Sequence, residues 1–258
     1  MKYFLVTIAL IQVVTLMLFF GAVSYRHEIA TTLWERWHRE EVALIDPDNA
    51  ELHFTIAEYF FNKGSYDIAL AEKYYRRAIA LEPGHLLAHY QLGRILFIQG
   101  KFGSALAEID EVLRVDPEYE KAYYMLGLIN GYAGDLDQAI YGFSEFIKRD
   151  DFNWAGHNDL AWIYFKKGDY QKTKEVAAMG VKNAPYNPWI NNIYGMALLN
   201  LGETEAARDA LTVALRESEK MIPEDWGKSY PGNDPAVYAK GLEETRTVIR
   251  HNLALLDK

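Results

Sequence analysis

The sequence contains no cysteine, which excludes a disulfide framework, a thiolate metal site and a cysteine nucleophile. Basic residues are few: 27 Lys and Arg against 36 Asp and Glu give a formal net charge of −9. Because so acidic a chain repels phosphate backbones, we expect no nucleic-acid partner. The nucleophile-elbow, zinc-protease and dinucleotide-binding patterns are also missing. We therefore predict a protein that is not an enzyme, with no cofactor and no small-molecule substrate.

Two local patterns suggest a phosphate loop and a metal site, and neither has the residues that such a site requires. The glycines between Gly93 and Lys101 are too far apart for a phosphate loop, and no Ser or Thr follows the lysine. His85 and His89 are four residues apart and could share a helix face, but no third ligand has suitable spacing. His89 also falls in a repeated column with His53, Tyr123 and His157, which favours packing between helices. No metal site is predicted.

Charge is absent from residues 3–25, a run framed by Lys2 and Arg26. At the rise of an α-helix, such a run spans roughly 35 Å, enough for the hydrocarbon core of a bilayer. We predict a retained transmembrane helix over residues 1–25. The alternative is a cleaved signal peptide with its site at Ala22-Val23-Ser24, but the apolar stretch is longer than such peptides use. Lys2 favours a cytoplasmic N-terminus, so the remainder is predicted to be extracytoplasmic, although Arg26 and nearby arginines oppose this orientation.

Small residues recur with a nearly constant period. Glycines follow one another at intervals of 36, 34, 34 and 34 residues, at Gly64, Gly100, Gly134, Gly168 and Gly202. A second column consists of Ala57, Gly93, Gly127, Ala161 and Gly195, and a third of Ala69, Ala105, Ala139, Thr173 and Ala207. Small residues let two antiparallel helices approach closely, and a glycine between them permits the left-handed turn that ends the first helix. Prolines at 47, 83, 117 and 185 terminate the second helices.

This pattern resembles the tetratricopeptide repeat, a helix–turn–helix unit of 34 residues. The resemblance implies an all-α, right-handed solenoid of five units, over residues 50–85, 86–119, 120–153, 154–187 and 188–218. The first unit has two extra residues, which we assign to its second helix near Ala71 to Arg77. Residues 26–49 are predicted to be a linker and capping helix, with Trp34, Trp37 and Leu44 on its apolar side. Residues 219–258 are predicted to be a loop, up to Asp234, and a final capping helix with an apolar face that includes Leu242 and Val248.

The resemblance also implies a concave groove lined by the first helix of each unit. Carried over position by position, the predicted partner-binding residues are mostly aromatic: Phe54, Phe61, Tyr90, Arg94, Phe97, Tyr124, Tyr132, Asn158, Trp162, Phe165, Trp189 and Asn192. Large rigid aromatic side chains are frequent at interface hot spots, so an apolar or aromatic segment of a partner protein is expected. The alternative for each ring is packing against neighbouring helices, which we expect for about half of them.

The sequence thus favours a membrane-anchored scaffold or assembly factor that binds a protein through the groove. The alternative is a permanent accessory subunit of a larger membrane complex. Both functions would use the same anchor and the same aromatic surface, so the sequence does not separate them.

Overall fold

The structure is a computed structural model that describes residues 25–37, 40–63, 66–229 and 233–257. Every element among these residues is helical. The predicted transmembrane helix lies outside the described residues, except for its last residue, Tyr25. Within the described ranges, no helix combines the length and the apolar character that a membrane span requires.

The described residues divide into two compact units, one up to Ala88 and one from His89. The first contains α1 (Arg26–Trp37), a 3₁₀ turn (Glu40–Leu44), α2 (Ala50–Glu58), a π-helix (Tyr59–Lys63) and α3 (Ile68–Leu81). The helices that follow are α4 (Leu86–Ile98), α5 (Phe102–Val115), α6 (Glu120–Ala133), α7 (Leu136–Arg149), α8 (Trp154–Lys166), α9 (Tyr170–Asn183), α10 (Pro188–Asn200), α11 (Thr204–Lys220), α12 (Pro223–Ser229) and α13 (Tyr238–Ala254). From α4 to α11, first and second helices alternate as the repeat predicts.

The two extra residues of the first repeat lie before its second helix, and our assignment of them to that helix was wrong. Helix α3 has 14 residues, as α5 does. The insertion falls between the starts of α2 and α3, where the chain adopts the π-helix Tyr59–Lys63; a π turn accommodates an inserted residue without breaking the helix. The small residue through which α3 packs on its partner helix is therefore the fully buried Ala71, while Ala69 is exposed.

Trp34 and Asp46 connect helix α1 to the segments of the first unit that follow it. The indole of Trp34 is buried and packs edge-on against Tyr59, with the ring centres 5.5 Å apart. The Asp46 carboxylate accepts from the Arg26 guanidinium at 3.1 Å and from the Asn49 amide at 2.9 Å. The prediction that Leu44 is on the apolar side was wrong, because the 3₁₀ turn has a different period from an α-helix. That turn leaves Leu44 81% exposed.

Glycine lets the paired helices of the second unit approach closely, as predicted. A Cβ on Gly127 in α6 would lie 2.6 Å from the ring of Phe143 in α7. A Cβ on Gly142 would lie 2.5 Å from the backbone nitrogen of Gly127. Backbone cannot move aside as a side chain can, so Gly142 is the tightest of these contacts.

The glycines at the turns adopt the left-handed conformation that the repeat requires. Their φ angles are 71° at Gly100, 95° at Gly134, 75° at Gly168 and 79° at Gly202. An L-residue is strained at such angles. The prediction of left-handed turns is confirmed at these four positions, and Gly64 lies outside the described residues.

The fourth position of each repeat has a structural role that the sequence did not reveal. In the first, third, fourth and fifth repeats its side chain donates a hydrogen bond to the backbone carbonyl six residues earlier and thereby fixes the turn between repeats, whereas His89 of the second repeat lies 2.6 Å from a carboxylate oxygen of Glu108. The pairs are His53 with Pro47 at 3.0 Å, Tyr123 with Pro117 at 3.0 Å, His157 with Asp151 at 2.9 Å and Asn191 with Pro185 at 3.0 Å.

In the described part of the chain, no group of three or more His, Asp or Glu residues could hold a metal ion.

The predicted loop over residues 219–234 is partly helical, so that prediction was wrong. Helix α11 continues to Lys220, and α12 begins at Pro223. Proline suits the first turn of a helix because its missing N–H has no intrahelical partner there. Asp234 caps a 3₁₀ turn that leads into α13, accepting from the Ala236 N–H at 2.9 Å.

Helix α13 buries Leu242, as predicted, together with Ile249. The expected burial of Val248 was wrong, since this side chain is 52% exposed. Helices α12 and α13 are in close contact: a Cβ on Gly241 would collide with the Trp226 indole, and one on Gly227 would collide with the Tyr238 ring.

Candidate interaction surface

In the first unit, the two predicted groove residues have different environments. Phe54 is half-buried, with its ring centre 4.8 Å from that of His85 and 5.8 Å from that of Tyr75. Phe61 lies in the π-helix and is only 4% exposed. Phe61 therefore belongs to the core, and its assignment as a partner contact is corrected: the inserted residues shift it out of the register from which the prediction was made.

In the second unit, three predicted residues form a continuous series of ring contacts across three first helices. Phe97 of α4 meets Tyr132 of α6 edge-on, with ring centres 5.3 Å apart. Tyr132 in turn lies 5.7 Å from Trp162 of α8. Tyr132 is 59% exposed, whereas Phe97 and Trp162 are half-buried. We call Phe97, Tyr132 and Trp162 the aromatic row.

Tyr90 and Arg94 lie beside the aromatic row on α4. The Tyr90 ring packs edge-on against Tyr119 at 5.4 Å, and burial raises the pKa of the Tyr90 phenol. The guanidinium of Arg94 donates to the Gln91 side chain at 2.6 Å. Both residues are half-buried. They lie next to the row, and their contacts with Tyr119 and Gln91 fix their side chains in place.

Tyr124 and Asn158 both donate to the half-buried carboxylate of Asp159. The Tyr124 hydroxyl is 2.5 Å from one oxygen of Asp159, and the Asn158 amide is 2.9 Å from the other. Burial is the main cause that raises the pKa of Asp159 to about 6, and these two hydrogen bonds oppose the shift. Among the described residues, no basic side chain forms an ion pair with this carboxylate. The Tyr124 ring itself packs on Phe143 and Phe146, so Tyr124 is mainly structural.

The remaining predicted residues lie towards the C-terminal end of the second unit. Phe165 packs against the Tyr170 ring at 5.3 Å and against the buried cluster around Ile190. Trp189 stacks on Trp154, with ring centres 5.7 Å apart. The Asn192 side-chain oxygen accepts from Asn252 of α13 at 2.9 Å. The side-chain oxygen of Asn192 is therefore hydrogen-bonded within the protein, to helix α13.

Four predicted residues, Asn158, Trp162, Trp189 and Asn192, line one cavity of about 410 Å³. Helices α12 and α13 supply its other wall, which includes Trp226, Glu244, Thr245 and Val248. The indole N–H of Trp226 donates to the Thr245 hydroxyl at 3.2 Å. We call this space the tryptophan cavity.

Asp159, Trp226 and Glu244 were not among the predicted site residues. Asp159 differs from its repeat equivalents, Gln91 and Met125, and that departure was the only signal of it in the sequence. Trp226 and Glu244 lie outside the repeats, in the segment predicted to be a loop and cap. No repeat position indicates that they reach α8 and α10.

Comparison with known proteins agrees with the repeat fold. Two family models, both described as tetratricopeptide repeat, match residues 64–128 and residues 124–188. These matches span residues 64–188 and support the tetratricopeptide-repeat assignment made from the sequence.

A curated relative is a tetratricopeptide-repeat and J-domain-containing co-chaperone, DNJ1 of Fusarium oxysporum f. sp. lycopersici. It is 26% identical over 196 residues, which cover 72% of this chain and 36% of the relative. The chain therefore spans about a third of the length of that relative.

Several solved structures share the fold. The MamA protein aligns with a TM-score of 0.59 and 19% identity, over 66% of this chain and 92% of that one. YrrB, described as a protein with an unusual peptide-binding site, aligns with a TM-score of 0.56 and 14% identity, over 70% and 92%. PilF of Pseudomonas aeruginosa aligns with a TM-score of 0.58 and 16% identity, over 88% of this chain and 97% of that one.

Proposed function

We propose that this chain is a membrane-tethered scaffold or assembly factor that binds an apolar or aromatic segment of a partner protein on the aromatic row. Tetratricopeptide-repeat proteins bind protein or peptide partners, and YrrB, which shares the fold, is described as having a peptide-binding site. The observation that carries the proposal is the unbroken contact from Phe97 through the exposed Tyr132 to Trp162.

The row has the properties of an interaction hot spot. Its rings hold one another in place, so a partner would lose little additional side-chain entropy on binding them. Tyr132 offers an apolar ring and a polar hydroxyl at the surface, a combination enriched at interfaces. Lys166 closes one side, with its ammonium 4.5 Å from the Trp162 ring centre and donating to the Gly131 carbonyl at 3.1 Å.

The test is partner capture by the full-length chain after chemical crosslinking in its native membranes. We expect Tyr132→Ala to lower the captured partner at least about tenfold, since hot-spot truncations cost about 2 kcal/mol or more. Tyr141→Ala is the matched control, because Tyr141 is also about half exposed but lies on the second helix α7. Equal capture by both variants would refute the aromatic row as the binding surface.

The membrane tether is the part of this proposal that rests on the sequence alone. The uncharged run over residues 3–25 supports it. We expect the full-length chain to stay in the membrane pellet through high-salt and alkaline washing, with the domain on the extracytoplasmic side. A mature N-terminus at Tyr25 would show secretion instead. Stoichiometric co-purification with the partner in detergent would indicate a permanent subunit.

A further inference from the structure

We propose that the tryptophan cavity accepts a lysine or arginine side chain of the bound partner segment. This inference rests on the proposed function, and it names a chemistry that the aromatic row does not provide.

The walls of the cavity suit a cation. Three of its lining residues are tryptophans, Trp162, Trp189 and Trp226, and indole faces attract ammonium and guanidinium groups more strongly than other aromatic rings do. Glu244 is the acidic residue of the lining, and none of the described lining residues is basic. The electrostatic potential inside therefore favours positive charge, in keeping with the net charge of −9 on the whole chain.

The cavity is also preorganised, which lowers the cost of binding. Trp189 is held by its stack on Trp154, and Trp226 by its bond to Thr245 and its contact with Gly241. A volume of about 410 Å³ exceeds that of one lysine side chain, so part of the partner backbone can enter with it. The amides of Asn158 and Asn192 line the same space.

Glu244 is available to an incoming cation. Its side chain is 67% exposed, and it pairs at 3.7 Å with Lys240, whose side chain is 78% exposed. Such a surface pair contributes little free energy, so exchanging Lys240 for a partner cation costs little. Trp162 already has the Lys166 ammonium near its ring, so we assign most of the cation contact to Trp189 and Trp226.

The experiment uses the full-length chain labelled with 5-fluorotryptophan and followed by ¹⁹F NMR. The probes are N-acetyl-lysine N-methylamide and N-acetyl-norleucine N-methylamide, which has a similar apolar stem without the charge. We expect the lysine probe to bind at least about fivefold more tightly and to shift the Trp226 resonance, identified with Trp226→Phe. Equal or tighter binding of the norleucine probe would overturn the proposal and show a purely apolar cavity.

Glu244→Gln is the decisive variant because its exposed position should leave folding intact. It should lower the preference for lysine about twofold, because an exposed carboxylate contributes modestly while the indole faces still attract the cation. Glu224→Gln, at an exposed position outside the lining, is the control and should keep the full preference. An unchanged preference in Glu244→Gln would refute the assignment.

The outcome is independent of the capture experiment. Loss of capture in Tyr132→Ala without any preference for lysine would leave the proposed function standing and remove this inference. A clear preference for lysine with equal capture by Tyr132→Ala and Tyr141→Ala would support the cation site and refute the aromatic row as the binding surface.

Discussion

We expect the contribution of Asp159 to the stability of the second unit to be more favourable in mild acid than at neutral pH. Its carboxylate is half-buried, and among the described residues it receives hydrogen bonds from the neutral groups of Tyr124 and Asn158 alone. Burial raises its pKa from the ordinary value of 3.8 to about 6. An acid whose pKa is raised by folding binds its proton more tightly in the folded state. Its contribution therefore favours folding below pH 3.8 and turns increasingly unfavourable as the pH rises through 6.

The magnitude follows from linkage. Above pH 6 the full difference between the two pKa values applies and destabilises the folded state by about 3 kcal/mol. At pH 4.5 most of this cost is absent, because folded Asp159 is protonated, and about 1 kcal/mol remains. The substitution Asp159→Asn removes the titration. The stability of the variant minus that of the wild type should therefore grow by about 2 kcal/mol between pH 4.5 and pH 8.

The assay is urea unfolding of the full-length chain at a series of pH values, followed by circular dichroism. Burial lowers the pKa of His53 in the first unit, so acidification opposes folding there. That trend is common to both proteins and cancels in the difference. Asp209→Asn, at an exposed position, controls for the loss of one negative charge. A pH-independent difference between Asp159→Asn and wild type would refute the assignment of a raised pKa to this carboxyl.

Three further predictions concern folding and are read from thermal or urea unfolding. Gly142→Ala should destabilise the protein by about 1–3 kcal/mol, since its methyl group meets the Gly127 backbone. Gly103→Ala, in open space, should stabilise the protein by about 0.5–1 kcal/mol. Equal effects of the two substitutions would contradict the packing described. Gly134→Ala should cost about 1 kcal/mol because of its φ of 95°, and no loss would show that this turn relaxes. Asp67→Ala should cost about 0.5–2 kcal/mol by removing the cap on the Leu70 N–H, and an unchanged midpoint would place the start of α3 elsewhere.

The repeating parts of the fold were predictable because each repeat poses the same packing problem. Gly100 and Gly134 mark turns, and Gly93 and Gly127 mark close helix contacts, so one interpretation served many positions. The same reliance on period caused the error in the first repeat. Ala69 was taken as the small residue of the second helix there, whereas the even spacing of the second helices places that position at the buried Ala71.

The candidate site was less predictable, because it depends on contacts between elements distant in the sequence. The aromatic row follows from repeat positions and was found. The raised pKa of Asp159 depends on desolvation by its neighbours, which no local pattern records. The tryptophan cavity requires α12, where Pro223 and Gly227 suggested a loop. Proline at a first turn is compatible with a helix, and that possibility was passed over.

Recurrence in the repeat separates the polar residues that maintain the fold from those available for binding. In four of the five repeats the fourth-position side chain donates to a carbonyl of its own turn, as His157 and Asn191 do. Asp135 and Asp169 recur as helix caps. Asp159 and Glu244 recur nowhere, and the fold offers them only neutral donors or a weak surface pair. A carboxylate that costs stability or contributes none is not explained by folding, so we expect Asp159 and Glu244, with the tryptophans of α8, α10 and α12, to add polar recognition beside the aromatic row.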